Sequence, residues 1–201
     1  MTAAPELRPL TPQEYFEWEA QQELRYEYLD GKVFAMTGGS LTHGRIGLNV
    51  ASLLRSHVRG KDCTAFNSDC KVGISETGSF PYPDASVSYD ERDFAATEFI
   101  RFPCLIVEAL SPTTEAHDRG EKFALYRRPS TLQEYVLIGS ERKTVEVFRR
   151  DQNRKWSFIP CGEGDNIELT SVNLNVSIDV IYEDVTLAQQ QIEKSEWSEP
   201  E

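Results

Sequence analysis

The sequence predicts a single α/β domain with a central mixed β-sheet flanked by helices. Three observations carry that expectation. The elements run helix, hairpin, helix, strands, helix, strands. Residues 104–110 form an apolar run of the kind buried on both faces of a sheet. The length, 201 residues, suits one domain with a substantial core. The composition, with 39% hydrophobic and 27% charged residues, is that of an ordinary globular chain.

The elements follow from local signals. Thr11-Pro12-Gln13-Glu14 reads as a helix start, with Thr11 as N-cap, Pro12 in the first turn and Glu14 closing a capping box, and the helix runs to about Ala20. Arg25 to Leu29 alternates, Asp30-Gly31 is a hairpin turn, and Lys32 to Met36 is the return strand. Gly38-Gly39-Ser40 breaks the chain. Ile46, Val50, Leu53, Leu54 and Val58 then fall at helical spacing within a helix over 43–58. Strands are expected at Cys63 to Phe66, Lys71 to Ile74, Asp84 to Tyr89 and Cys104 to Leu110. The segment SPTTEAHDRGEKFALYRR opens with turn and cap residues and becomes a helix of about four turns. Strands follow at Gln133 to Ile138, Thr144 to Arg149 and Trp156 to Pro160, with Val172 to Leu174 as a short strand or turn. From about Thr186 the chain is expected to form a short helix fraying into an acidic tail, which sets the domain at 1–185 and the tail at 186–201.

Several classes are excluded at this level. No stretch reaches 18 apolar residues, so no membrane span or membrane partner is expected. The first 20 residues lack the basic and apolar regions of a secretory signal. Cys63, Cys70, Cys104 and Cys161 show neither CxxC nor zinc spacing, and the expectation is reduced thiols in a cytoplasmic protein. There is no Ser/His/Asp motif, phosphate-binding glycine loop or GxGxxG; Gly38-Gly39-Ser40 is too short for a phosphate loop.

Two carboxylates stand out. Glu108 lies inside the apolar 104–110 strand, and glutamate is almost never fully buried unless paired. It needs a cation, a metal or an open strand end, or it forms a structural ion pair with arginine. Asp84 follows Pro83 at the start of another strand, a position that is also common in turns. Together they can form one hard-oxygen site of the sort Mg²⁺ accepts with only one or two protein carboxylates. Asp118 and Lys122 are four apart on the helix after Glu108 and share a face. They form a surface ion pair, or Lys122 turns back onto the carboxylates. Tyr126 continues the same stripe as a core aromatic or a site residue.

The segments RYEYLDGKVFAM, LTHGRIGLNVASLL, YPDASVSYD, IVEALSPTTEAHDRGEKFALYRRPSTLQEYVLI and KTVEVFRR, in this order, resemble the bacterial Uma2 family over about Leu10 to Tyr182. That family is described as restriction-endonuclease-like and is placed in the PD-(D/E)xK nuclease superfamily. The resemblance implies a restriction-endonuclease-like core and a Mg²⁺- or Mn²⁺-dependent endonuclease that hydrolyses phosphodiester bonds in DNA, with RNA as a possible substrate. It implies Asp84 and Glu108 as metal ligands, Glu27 as an acid completing the metal shell, and Lys122 as the catalytic lysine. The superfamily's usual lysine would fall at Leu110; the family supplies one from the following helix instead. His43 matches a family position without an assigned role, and His43, Asp118 and Tyr126 are accessory candidates. Nucleases of this fold often pair to cut two strands, which implies a homodimer.

Charge complicates that reading. The formal net charge is −12, which argues against general attraction to nucleic acid. Yet residues 119–155 hold ten of the 21 lysines and arginines against five acids, while residues 182–201 hold six acids and one lysine. The basic window is a solvated face or a phosphate-contacting one, with Arg119, Arg127 and Arg128 as candidate contacts. Two alternatives to the DNA endonuclease remain. One is a catalytically weak or inactive nuclease-fold protein that binds nucleic acid or a protein partner. The other is a hydrolase acting on RNA or a phosphorylated small molecule.

Overall fold

The computed structural model describes residues 2–3, 8–36, 38–75 and 78–187. Its N-terminal part forms where local signals are strongest. Strand β1 (Thr2–Ala3) precedes helix α1 (Pro12–Glu19). At the start of α1 the Thr11 hydroxyl accepts the Glu14 amide and the Glu14 carboxylate accepts the Thr11 amide, a complete capping box. Strands β2 (Tyr26–Leu29) and β3 (Lys32–Ala35) form the expected hairpin. Its turn residues Asp30 and Gly31 have φ of 45° and 91°, left-handed values that Asp-Gly tolerates and β-branched residues do not. Helix α2 (Leu41–Val58) begins two residues before His43, because the Ser40 hydroxyl caps it by accepting the His43 amide. Its Ile46, Val50, Leu54 and Val58 are the buried stripe the spacing predicts.

The middle of the chain supplies β4 (Thr64–Asn67), β5 (Lys71–Val72), β6 (Ala85–Ser88), helix α3 (Glu91–Phe94), β7 (Phe99–Ile100) and β8 (Pro103–Ala109). The expected four-turn helix is a composite of α4 (Glu115–His117), a π-helical segment Asp118–Lys122 and α5 (Phe123–Tyr126). Then come β9 (Glu134–Ile138), β10 (Val145–Arg150), β11 (Trp156–Cys161), β12 (Asn166–Leu169), β13 (Leu174–Ser177) and helix α6 (Ile178–Ile181). Residues 172–174 sit where the β12–β13 hairpin turns and re-enters its second strand. The short α3, β7, β12 and α6 carry too few periodic residues for the sequence to signal them.

Six strands form the central sheet in the order β11-β10-β9-β8-β6-β4. Only the β8–β9 pair in it is parallel; β4/β6, β6/β8, β9/β10 and β10/β11 are antiparallel. The parallel pair needs a crossover, and the 115–126 helix provides it. β8 and β9 are buried at every residue, which is why they read as near-continuous apolar runs. One sheet face packs against α2 and the β12–β13 hairpin through Leu105, Val107, Val136, Val145 and Ile167. The other packs under α5 through Ile106, Leu110, Tyr135 and Leu137. A third, aromatic cluster joins α1 to β2–β3 through Tyr15, Tyr28, Val33 and Phe80. Leu187 is buried in the first cluster, so the packed domain extends at least to this residue; residues 186–187 are irregular, and the expected tail from 188 on lies outside the described residues. No helix among the described residues is long and apolar enough to cross a membrane.

Glu134, at the start of β9, is fully buried. Arg149 on β10 pairs with its Oε1 at 2.7 Å, and the amides and hydroxyls of Thr170 and Ser171 saturate the carboxylate. This cluster fastens the β12–β13 turn to the sheet. Glu134→Ala strands the amide and hydroxyl donors of Thr170 and Ser171 and leaves Arg149 only its Glu168 partner, and is expected to cost about 2–4 kcal/mol of folding stability. A shift of the urea midpoint without a change in slope checks this.

Candidate active site

Alternation along β8 places Glu108 on the face shared with Ile106 and Leu110, beneath the crossover helix. There it is 4% exposed and paired. Lys122 Nζ lies 2.9 Å from Glu108 Oε1, and the Tyr126 hydroxyl donates to the same oxygen at 2.9 Å. Lys122 and Tyr126 both reach Glu108 because they stand four apart on one helix stripe. The bland reading of Asp118 and Lys122 as a surface pair does not describe them: both are buried, with Asp118 Oδ1 3.6 Å from the ammonium. The π-helical segment that contains them re-aims side chains relative to a regular helix, a feature frequent at functional sites.

Glu27 approaches from the other side, on β2. Its Oε1 lies 2.9 Å from Lys122 Nζ and accepts the Tyr82 amide at 2.9 Å. Lys122 is thus held between carboxylates from β2 and β8. Asp84 enters at the sheet end. Ala85 pairs with Val107 across the antiparallel β6–β8 ladder, so Asp84, one step further, stands opposite Glu108. Its Oδ2 accepts the Ala109 amide at 2.7 Å and faces His43 Nε2 at 3.5 Å. Gly47, one turn after His43 on α2, brings the helix backbone close: a methyl group there would sit 3.6 Å from Asp84 Oδ1.

Electrostatics follow from burial. Burial pushes the Glu108 carboxyl well above the usual carboxylate range; Lys122 opposes this, and Asp118, Asp84 and Glu27 add to it. Burial likewise raises Asp118. For Lys122 burial works to lower the pKa, but Glu108, Glu27 and Asp118 together hold it well above the ordinary lysine value. The ammonium is therefore fixed as a cation. The hydrogen bond to Asp84 raises the His43 imidazole, against the desolvation that would lower it.

Three carboxylates, Glu27, Glu108 and Asp118, thus surround one lysine, with Asp84 beyond them at the sheet end. Two of their oxygens, Glu27 Oε2 and Asp118 Oδ1, are buried without a hydrogen-bond partner. Asp118 Oδ1 is still within ion-pair distance of Lys122, so Glu27 Oε2 is the oxygen left over, and a hard oxygen of this kind suits a small divalent cation. Among the described residues no three His, Cys, Asp or Glu side chains are grouped to hold a metal, so Asp84 and Glu108 would have to be supplemented by water and a substrate phosphate, the habit of Mg²⁺.

The three arginine candidates differ. Arg119 is paired with Glu115 and Glu146, and Arg128 lies 3.4 Å from Asp30. Arg127 lies over the Phe123 ring at 5.0 Å. None of the three is brought to the carboxylate cluster by a described contact.

The chain is similar to several known proteins. Two Synechocystis proteins named as uncharacterized, slr1290 and sll1609, are 42% and 31% identical over 173 and 168 residues. The alignments cover 86% and 82% of this chain and 91% and 95% of theirs. A crystal structure from Anabaena variabilis, titled a "putative nuclease belonging to DUF820", superimposes with a TM-score of 0.71 at 20% identity, over 87% of this chain and 98% of that one. It shares the fold. Residues 12–180 match the profile of the Uma2 family, and the chain belongs to that family, whose description is "Putative restriction endonuclease".

Proposed function

We propose that the protein is a divalent-metal-dependent endonuclease hydrolysing phosphodiester bonds in DNA, with Asp84, Glu108 and Lys122 as catalytic residues. The observation that carries this reading is the convergence of Lys122, Glu108 and Glu27 within 2.9 Å contacts, with Asp84 opposite Glu108 at the sheet end. These residues come from separate parts of the chain, and a merely structural ion pair would not need four acids. Family membership and the shared fold support the same reading.

Asp84 and Glu108 would hold Mg²⁺ or Mn²⁺, with Glu27 Oε2 completing the acidic surround. When bound, the ion supplies charge stabilisation for the phosphoryl oxygens and a more acidic water. Lys122 donates and does not accept. Its raised pKa keeps it protonated, so it neutralises charge developing on the phosphate and orients the attacking water without serving as the base. Glu108 and Glu27 fix where that ammonium points, and the Tyr126 hydroxyl in turn holds Glu108. Asp118 adds negative charge beside it, and His43 holds Asp84 at the mouth of the site. We place the enzyme in the cytoplasm as a homodimer, the arrangement that presents two sites to two strands.

A second reading, a nuclease-fold protein that binds nucleic acid or a protein partner without cutting it, is favoured by one observation. Lys122 already neutralises Glu27 and Glu108, and Leu110 occupies the usual lysine position. Incubation of supercoiled plasmid with Mg²⁺ or Mn²⁺ decides between them. Nicking or linearisation is expected with either ion, and none in chelator. Asp84→Ala and Glu108→Ala should each lose at least 100-fold; residual cleavage equal to the wild type in both variants would sink the enzyme reading.

Lys122→Met should abolish cleavage and also change the pH dependence of stability. Without the ammonium, Glu108 and Asp118 are buried carboxylates whose folded-state pKa values lie above their unfolded ones. Their neutral forms are tolerated at low pH, and stability is lost as pH rises through the raised values. The deficit relative to the wild type, about 3–5 kcal/mol near neutrality, should shrink toward pH 5. Urea titrations at pH 5 and pH 8 in chelator check the sign.

A further inference from the structure

The side of the crossover helix next to Lys122 carries a feature the nuclease chemistry does not use. Lys122 faces the carboxylates, while its neighbour Phe123 faces the outer strands of the sheet. Phe123 lies 4.6 Å from Phe148 on β10 and 5.4 Å from Trp156 on β11. Phe148 in turn contacts Phe158, 5.3 Å away across the β10–β11 ladder. The series runs outward to the sheet edge, where Phe158 is 54% exposed. An aromatic shelf open on one side is an unusual end for a sheet.

Its surroundings are mostly basic; the exposed acid of the β10–β11 turn, Asp151, caps that turn by accepting the Lys155 amide. Arg150 lies over the Trp156 ring at 5.9 Å, with its guanidinium anchored on the Pro129 carbonyl at 3.0 Å. Arg127 lies over Phe123. Arg154 and Lys155 are exposed in the turn that leads into β11. Glu146, on the same face of β10, is already paired with Arg119. Positive side chains interleaved with stacking surfaces are the chemistry that binds unpaired nucleotides: the cations meet phosphates and the rings meet base faces. A duplex keeps its base faces stacked on one another and offers none to such a shelf.

The shelf belongs to the same sheet as the catalytic acid. Glu108 is in register with Leu137, Leu137 with Glu146, and Glu146 with Pro160, next but one to Phe158 on β11. That is three strand spacings, roughly 14 Å across the sheet.

We propose that the Trp156–Phe158 edge is a base-stacking subsite for single-stranded nucleic acid, so that the substrate presents an unpaired stretch beside the cleavage site. The proposal rests on the nuclease reading and deepens it by naming the strand state of the substrate. Binding separates the two. In chelator, fluorescence anisotropy is measured with a single-stranded 20-mer as DNA and as RNA, with its duplex, and with an abasic strand that keeps the phosphates and lacks the bases. The wild type should bind a single strand more tightly than the duplex, and the better of DNA and RNA identifies the sugar. Phe158→Ala should weaken binding of the base-bearing strand roughly 5- to 100-fold and of the abasic strand less than twofold, and Phe158→Trp should restore it. Equal losses on both strands, or duplex bound as tightly as single strand, would overturn the subsite while leaving the nuclease reading intact. A wild type that binds no nucleic acid in chelator overturns the subsite, while the plasmid assay with Mg²⁺ or Mn²⁺ decides the nuclease reading separately. Dissociation of a dimer by Phe158→Ala, seen in sedimentation, would assign the shelf to a subunit interface and overturn the subsite.

Discussion

The buried ammonium of Lys122 organises the site and much of its surroundings. A charge out of water is tolerated only where opposite charge and hydrogen bonds replace its hydration. Glu108 and Glu27 provide this at 2.9 Å each, and they arrive from different parts of the fold. The β2–β3 hairpin must therefore dock against the crossover helix, the helix must widen at Asp118–Lys122, and Tyr126 must turn its hydroxyl inward. Each is a geometric consequence of bringing one lysine to two acids. The arrangement over-supplies negative charge, since Asp118 and Asp84 lie close enough to raise Glu108 further. Perturbed carboxyls gathered in this way are more common at functional sites than in purely structural ion pairs.

The sheet explains why the cluster sits at a strand end. β8 and β9 are buried on both faces, so their middles admit only apolar side chains. Polar groups can enter where the strands finish, and there the antiparallel β6 begins, setting Asp84 opposite Glu108. Glu134 shows the same rule at the other end of the parallel pair. It is buried and charged, but Arg149, Thr170 and Ser171 leave none of its oxygens over, and it is a fastening. Glu108, by contrast, keeps unmatched acids around it.

The negative net charge and the basic 119–155 window can be weighed only with contacts in view. Several of its arginines are spent on neighbouring acids: Arg119 on Glu115 and Glu146, Arg149 on Glu134 and Glu168. What the window retains near the sheet edge is a small basic rim around aromatic rings. Local geometry, and not the sum of charges, sets what that face can attract.

Much of the scaffold was legible because its signals are local. The Thr11 capping box, the Asp30-Gly31 turn, the buried stripe of α2 and the apolar 104–110 strand each depend on a few consecutive residues whose backbone preferences agree with the final fold. Asp84, Glu108 and Lys122 could be singled out by chemistry and by family resemblance. Their roles relative to one another could not, because Asp118 and Lys122 at i,i+4 read equally well as an exposed pair. Tertiary structure decided that the pair is buried, that Lys122 bridges Glu108 to Glu27, that α2 brings His43 to Asp84, and that Phe158 ends an aromatic series at an open edge. The physical reason is distance along the chain. Periodicity and capping act over a few residues, whereas the burial of a charge is set by partners from β2, β6 and β8 that meet only once the sheet has formed.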